Sequence, residues 1–285
     1  MRLIFIFILV CLPKYIFSCE MASNSSRITV AGGSITEILY FLKEEDRIIG
    51  VDITSNYPKD TQKFPSIGYV RNLSAEGVLS LKPTLIIGED DMGPPDVINQ
   101  VNRTGIETKI LTEKHTSDGI IEKIQCIGTI IGERTKADAI INSEIMPAKI
   151  KLEKISNNLK DLGIKVLFIL NMDSGSPVVG GSNTSADGLI DMIGATNAFN
   201  SFEGWKPVGA ESIVQSAPDY ILISNRGAHS FGNIKEINNH PILKRTPAAR
   251  NNNIIALDGM EMLGFGPRTI KTALKLSNIF LKDNE

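Results

Sequence analysis

The sequence predicts an α/β protein of two lobes, each with a mainly parallel sheet flanked by helices, joined by a long backbone helix. Three observations lead to this prediction. Short apolar strands alternate with helices in both halves of the chain, a helical segment almost without turn residues separates the halves, and one helix–strand unit occurs twice. The 285 residues are enough for two lobes with hydrophobic cores of their own.

The first lobe is predicted over residues 27–117. A short amphipathic helix over residues 35–42 follows the first of several short apolar segments that have the composition of strands. The predicted strands are residues 27–31, 48–51, 84–88 and 108–111. Strands that are apolar throughout are typical of a parallel sheet whose two faces are both covered by helices.

The connection between the lobes is predicted over residues 118–162. Isoleucine and leucine recur at helical spacing along this segment, as at Ile120, Ile124 and Ile127. We expect Pro147 to interrupt or kink the helix, because an interior proline costs about 3 kcal/mol. The segment is longer than a crossover within one compact domain requires, and it predicts small lobe motions rather than wide hinge closure.

The second lobe is predicted over residues 163–285. Its predicted strands are residues 165–170, 219–224 and 253–257, and its predicted helices are residues 185–193 and 267–281. The return of the strand–helix alternation after the helical connection indicates a second α/β unit.

A repeated unit relates the two lobes. Glu76 and Glu211 each begin a predicted helix, and Pro83 and Pro218 follow seven residues after them, ahead of an apolar strand. A carboxylate suits the N-terminus of a helix, and a proline ends the helix. Two such units on either side of a helical connection predict a cleft between the lobes, and clefts between domains bind small molecules.

The N-terminus has the pattern of a secretory signal peptide, predicted over residues 1–18. Arg2 is followed by an apolar run over residues 3–12 that is too short to span a bilayer. Cys19 follows Ile-Phe-Ser, a loose match to a bacterial lipoprotein cleavage site, which leaves lipid attachment at Cys19 open. Cys126 is then the only cysteine of the folded part, and we expect a buried apolar side chain outside any disulfide.

Composition and motifs argue against several classes of function. A net charge of −2 gives no sign of a nucleic-acid or anionic-membrane partner. The sequence has no Gly-x-Ser-x-Gly, P-loop or Gly-x-Gly-x-x-Gly motif, and His115, His229 and His240 lack the spacing of a zinc site. We therefore expect no catalysis, and the polar, glycine-rich loops at the strand ends remain as candidates for binding.

Five segments give the chain a resemblance to a known family, and the most specific is Gly68-Tyr-Val-Arg-Asn-Leu-Ser-Ala-Glu-Gly77. The others are Ala31-Gly-Gly-Ser-Ile-Thr-Glu37, Glu203-Gly-Trp-Lys-Pro207, Thr246-Pro-Ala-Ala249 and Leu263-Gly-Phe-Gly-Pro-Arg268. Over residues 27–281 the chain resembles periplasmic haem-binding proteins, the substrate-binding components of bacterial haem ABC importers. Vitamin B12 and siderophore binders share the fold and the Lys-Pro signature, but not the tyrosine loop.

The resemblance implies that Tyr69 is the axial ligand of ferric haem, since this family binds haem iron through a tyrosine in this loop. A phenolate oxygen is a hard donor that suits Fe(III). Arg71 is implied as the group that hydrogen-bonds the phenolate or balances its charge. The loop over residues 171–174 lacks the histidine that some members have there, which argues for a single, five-coordinate haem.

Other residues are candidates for contacts with the rest of the haem or with the transporter. The candidates are Arg226, Lys206 and Arg268 for the propionates, Met92 for the porphyrin face, His229 as a substitute second ligand, and Glu76 and Glu211 for docking onto the permease. The implied protein is a periplasmic monomer that carries haem to an inner-membrane ABC permease. The alternatives are a ferric-siderophore or cobalamin binding protein of the same fold, and a periplasmic haem- or metal-dependent enzyme.

Overall fold

The computed structural model describes residues 19–173, 175–231 and 234–283. The predicted signal peptide lies outside the described residues. No helix in the described part of the chain combines the length and the hydrophobicity that a bilayer crossing requires. The chain folds as two α/β lobes joined by helices, which confirms the predicted fold class.

The first lobe is built around a parallel sheet. Its strands are β1 (Ile28–Ala31), β2 (Ile48–Val51), β3 (Gly68–Tyr69), β4 (Asn72–Leu73), β5 (Leu85–Glu89) and β6 (Glu107–Leu111), and its helices are α1 (Gly33–Phe41), α2 (Ala75–Ser80) and α3 (Pro95–Asn102). The sheet has the order β2-β1-β5-β6, and β3 and β4 form a separate antiparallel hairpin. The central strand β1 is fully buried, as its apolar pattern predicts.

The connection between the lobes consists of the helices α4 (Ser117–Ile130), α5 (Arg134–Ile140) and α6 (Met146–Lys160). Gly132 has a left-handed backbone, with φ 79°, and separates α4 from α5. A π-helical turn over Ile141–Ile145 joins α5 to α6, and Pro147 lies in the first turn of α6. The backbone at Ile145 and Met146 stays in the right-handed helical region, so α5, the π-helical turn and α6 form one continuous helical run. Pro147 lacks the N–H that an interior residue donates, and the regular α-helical pattern is interrupted in the turn directly before it, as the sequence predicts.

The second lobe carries a mixed sheet. Its strands are β7 (Lys165–Asp173), β8 (Ser176–Gly180), β9 (Thr196–Asn197), β10 (Trp205–Pro207), β11 (Tyr220–Ser224) and β12 (Ile254–Leu257). Its helices are α7 (Ser185–Ile193), α8 (Ala210–Ser216), α9 (Asn225–Ser230), α10 (Pro247–Arg250), α11 (Gly259–Leu263) and α12 (Pro267–Lys282). The sheet has the order β10-β8-β7-β11-β12, with β9 paired to β7. Strands β7, β11 and β12 are parallel, whereas β8 and β10 run antiparallel.

The end of β7 corrects one expectation from the sequence. Residues 171–177 have the composition of a loop, but β7 continues to Asp173 and pairs with β8, which begins at Ser176. Pro177 lies within β8, and proline usually marks the absence of a strand. The strand is formed because its neighbours β7 and β10 supply pairing on both sides.

One apolar core runs through both lobes and the helical connection. It contains Ile28 of β1, Ile127 of α4, Phe168 of β7 and Phe280 of α12, all fully buried. The rings of Tyr220 and Phe280 stack with centroids 3.9 Å apart. Close-packed cores resist deformation, so a core shared by both lobes opposes their wide separation.

Cys19 and Cys126 form a disulfide, which corrects the prediction that Cys126 is an unpaired apolar side chain. The segment from Cys19 runs alongside α4, and its Ala22 amide donates to the Ile130 carbonyl at 2.8 Å. The cysteines are 107 residues apart, so no local pattern reveals the pair. The disulfide uses the sulfur atom that lipid attachment at Cys19 would modify, and the two modifications exclude each other.

Candidate functional site

A cleft of about 800 Å³ lies between the two lobes. Residues at and after the ends of β5 and β6 line it from the first lobe. Residues of β7, of the segment between β8 and α7, and of the segment after β11 line it from the second. In α/β folds, the crevice beyond the carboxyl ends of the strands is the usual place for a ligand. The volume is within the range of about 300–1,000 Å³ that is usual for small-molecule pockets.

Tyr69 is held at this cleft by the β3–β4 hairpin, in which it pairs with Asn72. Gly68 has φ 101°, and a Cβ there would lie 3.0 Å from the Asn72 carbonyl oxygen, so a larger residue would be strained. The Leu73 amide donates to the Gly93 carbonyl at 2.8 Å, which ties the hairpin to the segment after β5. The glycine of the Gly-Tyr-x-Arg motif is therefore a requirement of the hairpin that positions the tyrosine.

Arg71 connects Tyr69 to a carboxylate. Its Nη1 donates to the phenol oxygen of Tyr69 at 2.5 Å, and its Nη2 lies 2.5 Å from Oδ2 of Asp91. Burial alone would lower the pKa of the Arg71 guanidinium, but Asp91 and Tyr69 outweigh it and the net shift is upward. The structure thus brings Tyr69 and Arg71 together, and it adds Asp91, which the sequence did not single out.

Buried charges form a connected network on the same wall. Lys123 donates to both carboxylate oxygens of Glu113, at 2.6 and 2.7 Å, and to Oγ of Ser34 at 2.9 Å. Ser34 donates in turn to Glu89 at 2.8 Å. Burial raises the pKa of Glu89 to about 7, against the opposing effect of the positive charge on Lys123. Glu89 and Glu113 both line the cleft.

One signal for this network is visible in the sequence, namely the position of Lys123. Lys123 stands three residues after Ile120 and four before Ile127, which places it on the apolar face of α4. A lysine on such a face is expected to have a buried carboxylate partner. The identity of that partner, Glu113, depends on how β6 and α4 pack.

The second-lobe wall carries mainly uncharged polar groups. Asn171 within β7 and Asn183 ahead of α7 both line the cleft. Thr184 caps α7, since its hydroxyl accepts from the Asp187 amide at 3.1 Å. Arg226 is exposed in the first turn of α9 and supplies positive charge. An anionic part of a ligand is therefore favoured on this side of the cleft.

Arg268 is not among the described residues that line the cleft, and its contacts give no support to its assignment as a propionate contact. Its guanidinium pairs with Glu37 of α1 at 2.5 Å and with Asp258 at 3.1 Å, and it stacks on the ring of Tyr57 at 3.8 Å. Both partners of the Glu37 pair are largely buried, with side chains 5% and 20% exposed. Arg268 and Glu37 are 231 residues apart, and their pair joins the last helix to the first lobe.

Met92 also lies away from the cleft lining, so the structure gives no support to its assignment as a porphyrin contact. It is 7% exposed and packs in the core of the first lobe against the backbone of Gly88. Lys206, by contrast, follows the cleft residue Trp205 on β10, with its ammonium 4.9 Å from the centroid of the Phe202 ring. Neither side chain is among the described residues that line the cleft, although Lys206 directly follows Trp205, which is.

The two histidines near the cleft differ from the expectation. His229 is exposed on α9 and is not among the described residues that line the cleft. His115 lines the cleft instead and lies 4.9 Å from the Phe265 ring, centroid to centroid. Burial lowers the pKa of His115, which favours its neutral form.

Glu76 and Glu211 are exposed in the first turns of α2 and α8, one in each lobe. Both helices are followed, directly before a proline, by a residue with a left-handed backbone, Lys82 with φ 50° and Ala217 with φ 46°. The sequence repeat is therefore also a structural repeat, and it presents the two carboxylates in corresponding places.

The chain matches the periplasmic binding protein family over residues 28–260. An uncharacterized ABC transporter substrate-binding lipoprotein of Bacillus subtilis, YvrC, is 27% identical over 88% of this chain and 78% of its own length. A vitamin B12-binding protein of Vibrio parahaemolyticus is 22% identical over 94% of each chain. These relatives share nearly the whole described chain, and not one lobe alone.

Solved structures share the same architecture. The periplasmic heme-binding protein RhuT from Roseiflexus sp. RS-1, in its apo form, is 32% identical with a TM-score of 0.78, over 92% of this chain and 100% of that one. The periplasmic heme-binding protein BhuT, in complex with two hemes, is 31% identical with a TM-score of 0.79, over 90% of this chain and 97% of that one. With its two α/β lobes, helical connection and interlobe cleft, this chain belongs to the periplasmic binding protein family.

Proposed function

We propose that this protein binds haem in the cleft between its lobes and delivers it to the permease of an ABC importer. The observation that carries the proposal is the phenol of Tyr69, which lies at the cleft and accepts a hydrogen bond from Arg71. Two heme-binding proteins of known structure exceed 30% identity to this chain over almost their whole length, and they support this ligand.

The residues at the cleft fit ferric haem as a cargo. The side chain of Tyr69 is 38% exposed, so its oxygen is accessible to a ligand. A phenolate oxygen is a hard donor for Fe(III), and tyrosinate ligates haem iron in catalase. A guanidinium that donates to this oxygen stabilises its negative charge through a charge-assisted hydrogen bond. Tyr69 therefore acts as the axial ligand and Arg71 as its partner.

The propionates are assigned to the second-lobe side of the cleft. The first-lobe wall carries the carboxyl groups of Glu89, Asp90, Asp91 and Glu113, which disfavour further negative charge. Arg226 on the opposite wall attracts negative charge, and Lys206 is a further basic group on β10, next to the lining residue Trp205. His229 lies outside the cleft lining, so a second ligand from that residue is not part of the proposal.

Delivery requires a surface that both lobes present to the permease. Glu76 and Glu211 project from corresponding helices, one in each lobe, and we assign the docking contacts to them. The protein acts as a monomeric carrier in the periplasm and performs no catalysis. The family description and the relative described as an ABC transporter substrate-binding lipoprotein both support this location and partner.

Hemin titration of the mature protein tests the proposal. Saturation is expected at one equivalent, because residues 171–174 lack the histidine that some haem-binding proteins of this fold carry there. Tyr69→Phe should weaken binding by at least about 100-fold, since residues that only support a metal ligand already contribute about 10- to 100-fold. Tyr57→Phe, which removes the hydroxyl of another exposed tyrosine, is the matched control. Saturation at two equivalents would contradict the stoichiometry, and no specific binding by the wild type would contradict the ligand.

A corrinoid is the second candidate ligand, because the vitamin B12-binding protein of Vibrio parahaemolyticus covers 94% of this chain. Cyanocobalamin titration separates the two candidates. Binding of cyanocobalamin that is equally strong in the wild type and in Tyr69→Phe, without specific hemin binding, would favour the corrinoid. Hemin binding that depends on Tyr69 would favour haem.

A further inference from the structure

We propose that Asp91 is a positioning residue for the haem ligand, which acts through Arg71 to fix the Tyr69 oxygen and to set its donor strength. The inference rests on the proposed function, since it concerns the same site. Carboxylate, guanidinium and phenol form one chain of contacts at the cleft. Arg71 is the middle member. Its Nη2 lies 2.5 Å from Oδ2 of Asp91, and its Nη1 lies 2.5 Å from the hydroxyl oxygen of Tyr69.

The two loops that carry this chain of contacts are joined by their backbones. Arg71 belongs to the turn of the β3–β4 hairpin, and Asp91 belongs to the segment between β5 and α3. The Gly93 amide donates to the Val70 carbonyl at 2.9 Å, next to Arg71. The side-chain pair therefore spans two loops whose relative position is already fixed, and little conformational entropy opposes it.

Asp91 has Arg71 as its partner and no other among the described side chains. Its Oδ2 contacts Arg71, while its Oδ1 is buried and accepts no hydrogen bond from the described residues. The side chain as a whole is 34% exposed, against 62% for Arg71. The carboxylate is thus the better-held end of the pair, and it restrains the more exposed guanidinium.

Neighbouring carboxylates on the same wall do not duplicate this contact. Glu89 accepts a hydrogen bond from Ser34, and Asp90 accepts one from the Glu113 amide at 3.3 Å. Each therefore points to a different partner. Loss of the Asp91 carboxylate would leave Arg71 without its ion-pair partner, although the wall would stay acidic.

The charge of Asp91 has a consequence for iron chemistry. A guanidinium that donates to a phenolate withdraws electron density from the oxygen that binds Fe(III). A carboxylate on the far side of the guanidinium offsets part of that positive charge. Asp91 therefore keeps the hydrogen bond that orients Tyr69 while it preserves the strength of the phenolate as a donor. Outer-shell groups of this kind tune both the affinity and the reduction potential of metal sites.

Two substitutions separate orientation from charge. Asp91→Ala removes both, and it should speed the transfer of hemin to an excess of apomyoglobin by about 10-fold, the lower end of outer-shell effects. Asp91→Asn keeps the shape and an acceptor oxygen but removes the charge. It should shift the phenolate-to-iron charge-transfer band to higher energy and raise the Fe(III)/Fe(II) potential. Asp96→Asn removes one exposed carboxylate from α3 in the same lobe and should change neither readout.

A double-mutant cycle decides whether Asp91 acts through Arg71. In an Arg71→Ala background, Asp91→Asn should produce no further spectral shift, because groups in one network are not additive. A full shift in that background would overturn the proposal, and so would wild-type spectra for both Asp91 variants. Equal shifts in Asp91→Asn and Asp96→Asn would indicate a general charge effect and overturn it as well. If the wild type itself lacks the tyrosinate band, the proposed function fails, and this inference fails with it.

Discussion

The two walls of the cleft differ in how firmly their charged groups are held. On the first-lobe wall, Arg71 and Asp91 form one ion pair and Lys123 and Glu113 form another. On the second-lobe wall, Arg226 is exposed at the start of a helix among neutral polar residues. If the ligand is haem, as proposed, the first lobe sets the geometry at the iron, while the second lobe attracts the periphery of the ligand. Substitutions in the first-lobe wall should alter the chemistry of the bound ligand, whereas substitutions in the second-lobe wall should alter only the affinity for the ligand.

The largest expected effect concerns the pair that joins the lobes and belongs to neither wall. Arg268→Leu should lower the free energy of unfolding by about 3–5 kcal/mol, because it leaves the buried Glu37 without its partner. Urea denaturation measures this, with Arg103→Leu on the exposed end of α3 as the control. Hemin affinity of the folded protein should stay unchanged. A variant that is as stable as the wild type but binds hemin more weakly would instead support Arg268 as a propionate contact.

The disulfide should stabilise the first-lobe side of the molecule. The local stability of the second-lobe wall of the cleft should not depend on it. Loss of the Cys19–Cys126 bond should cost about 2–4 kcal/mol, since it closes a long loop of the unfolded chain. Urea denaturation of Cys126→Ala should show the loss, and hydrogen exchange should increase along α4 but not along α9. Thiol labelling of the native wild type before and after reduction is the control. Labelling without reduction would contradict the disulfide.

Glu89, a buried carboxyl group of the first-lobe wall, should make the free energy of unfolding depend on pH. Its folded-state pKa of about 7 lies above the ordinary value of 4.5, so the folded protein binds more protons than the unfolded chain between these values. The contribution of this group to stability therefore falls as pH rises from 4.5 to 7. The free energy of unfolding of Glu89→Gln should therefore fall by about 2 kcal/mol less than that of the wild type over this pH range.

Unfolding free energies at pH 5 and pH 8 measure the Glu89 effect. Glu236→Gln, at an exposed glutamate of the second lobe, serves as the control and should keep the wild-type dependence. The same pH dependence in Glu89→Gln and in the wild type would show that burial does not raise the pKa of Glu89 in solution.

The smallest expected effect is on the second-lobe wall. Arg226→Ala should weaken hemin binding by about 5-fold, since an exposed charge pair contributes at most about 1 kcal/mol. The charge-transfer band should keep its position, because Arg226 is on the wall opposite to Tyr69. His229→Ala, on the same helix, is the control for helix α9. A shifted charge-transfer band in Arg226→Ala would contradict the proposal that only the first-lobe wall affects the chemistry of the ligand.

Local sequence determined most of the regular structure. Strand β2 and helix α7 have the predicted bounds. Strands β1, β6, β11 and β12 differ from the predicted bounds by one residue at one end, and β5 is shifted by one residue at both ends. Apolar runs, glycine turns and prolines act over a few neighbouring residues, so they can be recognised in the sequence alone. The β3–β4 hairpin and β10 were missed because strands of two or three residues carry no periodic pattern. The pairing of Tyr69 and Arg71 was anticipated because both residues lie in one loop.

Only the tertiary structure decided which distant residues meet. The Cys19–Cys126 bond, the Arg268–Glu37 pair and the Lys123–Glu113 pair each depend on how separate elements pack. An arginine in a glycine-rich loop has the same local sequence whether it contacts a ligand or a buried glutamate. Burial then decides the outcome, because a carboxylate removed from water must find a partner. The sequence by itself determined the fold class and the tyrosine loop, and packing determined which charges remain available to a ligand.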